Sequence, residues 1–515
     1  MQLIQGLNRA VTINGGATAT IFRDRRWSWR EVAERIVRLA GGLGTLGVAA
    51  GDRVAILAMN SDRYWEAMYA IPGLGAIMVP LNTRLAPPEI AFMLEDSGTK
   101  VLLVDDTFAE IPAKLAGQIP GVSHVVHIGE GKVPAGMIGW ESLLAGRPAG
   151  FGDAADHDVA GIFYTGGTTG RSKGVMLTHR NLVGNAAQII PAAGYRFDTV
   201  YIHAGPMFHL ADAASTFAVT VVGGTHVFIP RFDAGDMLAE MARHRVTNAL
   251  LVPTMINATA SHPEIASFDL SALRVIPYGA SPMPDAVLQR AKRAMPHVRW
   301  LHVYGMTEAA PIVTAMDRHQ AEPEGQRAQS CGRPCLLMDV RIADADDLEV
   351  PRGTVGEVQV RGPNIMRGYW NLPDVTASAL RGGWYHSGDG GYMDEDGYVY
   401  IVDRFKDMII SGGENIYSAE VESAISTLDG VAEVAVIGIP DEKWGETVHA
   451  VVVPRAGREL SADAVVAHCR ALIAGYKVPR SVDIRAESLP LSGAGKVLKT
   501  VLREAFWAGR TKQVS

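Results

Sequence analysis

Cysteine is scarce in this chain, with three in 515 residues, too few for a disulfide framework. Cys331 and Cys335 lie close together but have no second Cys/His pair to complete a zinc site, so thiols in a reducing compartment, the cytoplasm, are expected. A surplus of positive charge is missing as well. With Lys+Arg 48, Asp+Glu 55 and a net charge of −7, a general nucleic-acid binder is disfavoured, although a local basic patch for a phosphorylated cofactor remains allowed. Long apolar runs are also lacking. The most apolar stretches are broken by Ser215, Thr216, Thr220 and His226 in one case and by Pro72 and Pro80 in another, so no integral membrane segment is expected. The start, Met1 to Arg9, has no charged region followed by an apolar core, which argues against a signal peptide. What remains is 48% hydrophobic and 20% charged, the balance of a soluble globular protein. The length exceeds one ordinary core and implies two or more domains.

The first third alternates helical and strand patterns. Ser28 and Glu31 form a capping box before the helical face of Trp29, Val32, Ala33, Ile36 and Val37. Arg53–Met59 reads as a strand, Tyr64–Tyr69 as part of a helix and Val101–Val104 as a buried strand, which together predict layered α/β sheets with parallel pairing. Gly42-Leu43-Gly44-Thr45-Leu46-Gly47 has the spacing of a dinucleotide fingerprint, but it follows a helix where a strand is required, so helix termination is expected. Asp394-Glu395-Asp396-Gly397 suits a hairpin. Beyond Asp403–Asp407 a compact α+β pattern follows: a helix near Ser418–Ile425, an alternating strand Glu433–Ile439, a strand Ala450–Val453 and a helix after the N-cap Ser461. The expected division is 1–403, a hinge at 404–406, and 407–515.

The richest segment is Tyr164-Thr165-Gly166-Gly167-Thr168-Thr169-Gly170-Arg171-Ser172-Lys173-Gly174, directly after the apolar run Val159–Phe163. Glycines let the backbone turn through positive φ and bring N–H groups to an anion, while hydroxyls and an ammonium supply further donors. The loop therefore reads as a cradle for a nucleotide polyphosphate. It is no Walker loop, because Lys173 follows Ser172 and precedes Gly174. Gly170-Arg171-Ser172-Lys173-Gly174 does fit a hydrolase nucleophile elbow, but that Ser stands well beyond the apolar run instead of at a strand-to-helix turn.

Other clusters suit the same ligand. Tyr304-Gly305-Met306-Thr307-Glu308 offers an aromatic face for a purine and a carboxylate for the Mg2+ of MgATP. Asp389, in Ser387-Gly388-Asp389, is an acceptor suited to ribose hydroxyls, and Arg404 is a candidate second contact. Leu489-Pro490-Leu491-Ser492-Gly493-Ala494-Gly495-Lys496 sets one lysine on a glycine turn.

In this order and spacing, the clusters resemble the adenylate-forming superfamily, in its acyl-CoA synthetase branch. Asp403–Asp407 with Ile410–Asn415, Asp441–Glu446 and Tyr476–Arg480 match that branch too, so the likeness runs nearly end to end. Gly166, Ser172 and Ala494 replace a frequent Ser, Pro and Thr, without removing a group the chemistry requires. The resemblance implies a large N-terminal domain of layered α/β sheets and a small, mobile C-terminal α+β domain. It implies an ATP-dependent ligase in which a carboxylate attacks the α-phosphate of ATP, and a thiol of coenzyme A then displaces AMP. Lys496 would bridge the reacting carboxylate and phosphate oxygens, with His209 near the acyl carboxylate. Thr165, Thr168, Thr169 and Lys173, with Gly166, Gly167 and Gly170, would hold the β and γ phosphates. Glu308, with Thr165, would hold Mg2+. Asp389 and Arg404 would fix the ribose, while Tyr304, Gly305 and Thr307 with Gly279–Ala280 would line the adenine. Lys406 would be the hinge that swings Gly412 and Gly413 to the pantetheine, with Trp444, Tyr476 and Arg480 on the CoA nucleotide. Small and apolar residues at Phe208, Ala211, Ala213 and Ala310 suggest an acyl pocket. A medium- or long-chain fatty acid is the expected substrate, with short thioether acids and aryl acids as alternatives; outside CoA ligation, the alternatives are an adenylation domain that loads a carrier protein and a non-catalytic nucleotide-binding protein. A homodimer is the default assembly.

Overall fold

The structure is a computed structural model. It describes residues 1–508 apart from 153, 166–171, 282, 317–326, 328, 405–406, 413 and 493–495, and only the backbone of Arg404 and Asn415.

Val101–Val104 lies in the strand Thr99–Val104, with all four side chains fully buried. The strands Arg53–Leu57 and His124–His127 run parallel on either side of it. Side chains alternate across a strand, so an unbroken apolar run needs cover on both faces. Val54, Ile56, Val101 and Leu103 pack with Trp29, Ile36, Tyr64 and Trp65 from the helices Trp29–Thr45 and Asp62–Gly73. Ala55, Leu57, Leu102 and Val104 meet Ile90, Met93 and Leu94 of the helix Pro87–Ser97 on the other face.

The expected capping box is present, with Glu31 N donating to Ser28 Oγ and Ser28 N donating to the Glu31 carboxylate. The glycine run ends the helix, as expected. The helix continues through Gly41, Gly42 and Gly44 to Thr45 and turns out only near Gly47, at φ +78°. Gly41 and Gly42 serve close packing, since an added Cβ would come within 2.0 Å of Arg147 O and 2.5 Å of Leu143 O.

This sheet has eight strands, in the order Gly368–Tyr369, Lys173–Thr178, Val159–Thr165, Ile77–Pro80, Arg53–Leu57, Thr99–Val104, His124–His127, Ile138–Gly139. It is parallel except at one end, where Lys173–Thr178 runs antiparallel to both its neighbours. Two four-stranded sheets, one holding Val200–His203 and Thr225–Phe228 and the other Val275–Tyr278 and Arg299–Gly305, are joined through Asn248, which bridges to Tyr201 of the first and Val275 of the second. A fourth, antiparallel sheet contains Gly356–Arg361, Tyr385–Met393 and Val399–Arg404. Its hairpin falls at Asp394–Gly397, where Asp394 Oδ1 accepts from the N–H groups of Asp396 and Tyr398.

The C-terminal domain is a five-stranded sheet with its own apolar clusters. The helices Ser418–Ser426 and Ala462–Leu472 stand as expected, the second capped by Ser461 Oγ. The strand expected to alternate over Glu433–Ile439 instead buries Ala435–Gly438 continuously. Val436 faces Val421 and Ile425 while Ala435 and Ile437 face Leu489 and Leu502, so both sides are covered. Arg84 of the first domain donates to Ser492 O at 3.3 Å, and Asp403 accepts from Ser418 N at 2.6 Å and from Ser418 Oγ at 2.7 Å. Among the described residues no helix is long and apolar enough to cross a membrane.

Candidate active site

Thr165 and Lys173 are partners in the antiparallel ladder of Val159–Thr165 and Lys173–Thr178, and Thr165 Oγ1 donates to Lys173 O at 3.4 Å. Ser172 therefore adjoins a hairpin partner strand, not the strand-to-helix turn of a nucleophile elbow, and the hydrolase reading fails on geometry. Gly166, Gly167, Thr168, Thr169 and Gly170 lie outside the described residues.

The Lys173 ammonium stands 4.5 Å from the centre of the Tyr369 ring. The Tyr369 hydroxyl donates to Glu308 Oε1 at 2.9 Å, and Met366 N donates to Glu308 O at 2.8 Å. One tyrosine thus touches both a candidate phosphate cation and a candidate metal ligand. Tyr369 was missed in the sequence, where Arg367-Gly368-Tyr369-Trp370 offered only an aromatic beside a glycine. A half-buried carboxylate oxygen that shares Tyr369 with Lys173 is the hard donor Mg2+ prefers, so Glu308 fits that ion.

Gly279–Ala280 follow the strand Val275–Tyr278, and Tyr304–Gly305 end its parallel neighbour Arg299–Gly305. Both segments are thus at carboxyl ends of parallel strands, where α/β sheets take ligands. An added Cβ would come within 2.2 Å of Val303 O at Gly279 and 1.9 Å of Pro311 O at Gly305. Ala280 and Ala310 hold φ of +67° and +58°, a conformation that costs an L-residue energy and clusters at functional sites. Thr307 and Glu308 occupy the short helix Thr307–Ala309 just after the Tyr304–Gly305 end.

The Tyr304 hydroxyl donates to Asp389 Oδ2 at 2.7 Å, joining the adenine and ribose candidates. Burial and the adjacent Asp389 charge hold that phenol well above its usual pKa, so it stays a donor. Asp389 sits on a bend in which Gly388 has φ +69° and Gly388 N donates to Glu357 Oε1 at 3.0 Å. In the strand register Asp389 stands directly opposite Arg404, whose side chain lies outside the described residues.

His209 precedes the helix Leu210–Val222, and its Nδ1 accepts from Ala211 N at 3.1 Å. An acceptor Nδ1 leaves the neutral ring its proton on Nε2. Burial, and then the Lys496 ammonium, push its pKa down to about 4, so the ring is neutral at pH 7. Residues nearly three hundred positions apart, on different domains, therefore stand within electrostatic reach. The Lys496 turn is closed by Ser492 N donating to Lys496 O at 2.7 Å and Lys496 N donating to Ser492 Oγ at 3.1 Å.

The segment before His209 is clamped by a buried amide. Asn60 Nδ2 donates to Gly205 O at 2.7 Å and His203 O at 3.3 Å, and Asn60 Oδ1 accepts from Met207 N at 2.9 Å. Of the expected acyl-pocket residues, Phe208, Ala213 and Ala310 are buried and Ala211 is half-buried.

A second group belongs wholly to the C-terminal domain. Gly412, at φ +62°, donates its N–H to Trp444 O at 2.8 Å. Arg480 and Lys443 each stand 4.8 Å from the Trp444 ring centre, and Tyr476 is exposed with Lys477 beside its ring. Gly413 and Lys406 lie outside the described residues.

Residues 7–370 match the family described as AMP-binding enzyme, and residues 420–496 match the AMP-binding enzyme C-terminal domain. The chain belongs to this family. It is an adenylate-forming enzyme of the acyl-CoA synthetase branch, an AMP-forming acid–thiol ligase. It is 42% identical to a feruloyl-CoA synthase of an Amycolatopsis species, over 97% of this chain and 98% of that one. It is 37% identical to a long-chain-fatty-acid–CoA ligase of Mycobacterium tuberculosis, over 94% of each chain. The fold superposes on an anthranilate CoA ligase in complex with anthranoyl-AMP with a TM-score of 0.91, at 26% identity, covering 98% of this chain and 97% of that one.

Proposed function

We propose that this ligase activates an acid with an aryl-substituted tail, of the ferulate kind, and transfers the acyl group to coenzyme A through an acyl-adenylate. The observation that carries the adenylation step is the approach of Lys496, from the C-terminal domain, to His209 of the N-terminal domain. The reaction joins two anions, so preorganised cations and donors must take up the charge that spreads over the phosphate oxygens. Lys496 is the cation between the acid oxygen and the α-phosphate, and the His209 Nε2 proton is the donor that orients the carboxylate. Asp389 receives the ribose hydroxyls, Tyr304 flanks the adenine, and Lys173 with Thr165 receives the outer phosphates. Glu308 and Thr165 hold Mg2+, which when bound offsets the polyphosphate charge.

The same position of Lys496 obstructs the incoming thiol. The proposed remedy is rotation at Lys406, within a hinge 404–406 between domains 1–403 and 407–515, bringing Gly412 and Gly413 to the pantetheine. Trp444, Tyr476 and Arg480 then face the CoA nucleotide, the aromatics by stacking and the guanidinium by pairing with phosphate. The higher identity to the feruloyl-CoA synthase than to the fatty-acid ligase supports an aryl acid ahead of the fatty acid expected from sequence.

The test is Lys496→Ala. Acid-dependent ATP–pyrophosphate exchange is expected to fall by about two to three orders of magnitude, the loss typical of one charged transition-state donor. Thioester formation from supplied acyl-AMP and CoA should persist. Equal loss of both steps rejects the role of Lys496. A panel of cinnamic, benzoic and straight-chain acids, read by pyrophosphate release, tests the acid class, and a preference for the straight chains rejects the aryl proposal.

A further inference from the structure

We propose that Tyr369 is the positioning residue that places Glu308 and Lys173 in one frame before MgATP arrives. This rests on the reading of Glu308 as the Mg2+ ligand. The two groups lie far apart in sequence, and each touches a different part of one side chain. Glu308 takes the hydroxyl proton at 2.9 Å, while the Lys173 ammonium stands 4.5 Å from the ring centre.

The tyrosine itself has little freedom. It is 5% exposed and lies in the strand Gly368–Tyr369, with Tyr369 opposite Val175 and Gly368 opposite Met176. Trp370 N donates to Gly174 O at 2.7 Å and Arg367 N to Met176 O at 3.0 Å, so the backbone is fastened on both sides of the ring. Gly174 permits this approach, since a Cβ there would meet Ile162 at 2.7 Å and the Trp370 Cβ at 3.3 Å. A carboxylate held in one rotamer presents its second oxygen in a fixed direction. An ammonium held over a ring face is spared the search through its long side chain's rotamers.

The two contacts separate by substitution. Tyr369→Phe keeps the ring for Lys173 and removes the hydroxyl from Glu308. Tyr369→Leu removes both. ATP binding is measured by calorimetry with excess Mg2+ and again in EDTA, with no acid present and therefore no turnover. The wild-type protein should bind ATP more tightly with Mg2+, and Glu308→Gln should abolish most of that gain. Tyr369→Phe is expected to lose roughly tenfold of the Mg2+-dependent gain, the scale of one hydrogen bond to a charged group, with affinity in EDTA unchanged. Tyr369→Leu should lose the same gain and, in addition, bind ATP roughly threefold more weakly in EDTA. If Glu308→Gln loses the gain but Tyr369→Phe keeps it, the positioning role of Tyr369 is wrong. If Glu308→Gln keeps the gain, or the wild type has none, the metal-ligand reading fails and this inference with it. The near-isosteric Phe variant and Glu308→Gln decide the matter even if the Leu variant does not fold.

Discussion

Gly412→Ala tests the C-terminal cluster most directly, because its cost has two separable parts. Gly412 holds φ +62°, where an L-residue pays about 1–2 kcal/mol. An added Cβ would also stand 2.5 Å from Trp444 Cε3 and 3.0 Å from Cζ3. The indole cannot yield cheaply, because Gly412 N is bonded to Trp444 O and two cations lie against its ring. Overpacking of this kind costs about 1–3 kcal/mol more. Gly445→Ala is the control, since φ is +77° there but the nearest atom to the new Cβ is Ile410 O at 3.8 Å, so only backbone strain applies. Urea unfolding of the full chain, followed by tryptophan fluorescence, should show a larger midpoint loss for Gly412→Ala than for Gly445→Ala. Displacing Trp444 should also raise the KM for CoA, assayed from supplied acyl-AMP, by about tenfold, the scale of one aromatic contact. ATP–pyrophosphate exchange should be unaffected. Equal midpoint losses would refute the clash argument, and an unchanged KM for CoA would remove Gly412 and Trp444 from the CoA site.

Three further outcomes are expected. Asn60→Ala leaves His203 O, Gly205 O and Met207 N without their shared partner, so the KM for the acid should rise by about tenfold or more while the KM for ATP stays put; a matching rise in both would mean general loosening instead. The His209 pKa is pressed from 6.5 to about 4, so adenylation should show no inflection near pH 6.5, and one appearing there would contradict a neutral ring. The unfolded chain takes up this proton between those two values and the folded chain does not. Stability from this site is therefore complete above pH 6.5 and declines as pH falls toward 4, and His209→Gln should reduce that acid sensitivity.

Local signals were readable because their partners are near in sequence. Ser28 and Glu31 cap one helix, Ser461 caps another, and Asp394–Gly397 turns a hairpin, all through contacts spanning a few residues. Where burial depends on distant elements, the pattern misled. Ala435–Gly438 reads as a buried run because Leu489 and Leu502 cover the face that alternation would have left to solvent. The site was legible chiefly through likeness to a family. Nothing in the neighbourhood of Tyr369 announces that its hydroxyl meets Glu308, and nothing near Asn60 points to the segment before His209. Both depend on strand pairings and loop crossings far along the chain.

The short strand Gly368–Tyr369 has a further consequence for the birth of the molecule. It is the last rung added to one side of the largest sheet, yet its partner Lys173–Thr178 is synthesised much earlier. Until the later segment leaves the ribosome, the margin bearing Gly174 and Met176 offers bare amide and carbonyl groups to any passing chain. The residues that seal this margin include the one that gathers Glu308 and Lys173, so the growing polypeptide acquires its protection against sticking and its polyphosphate clasp in a single late event.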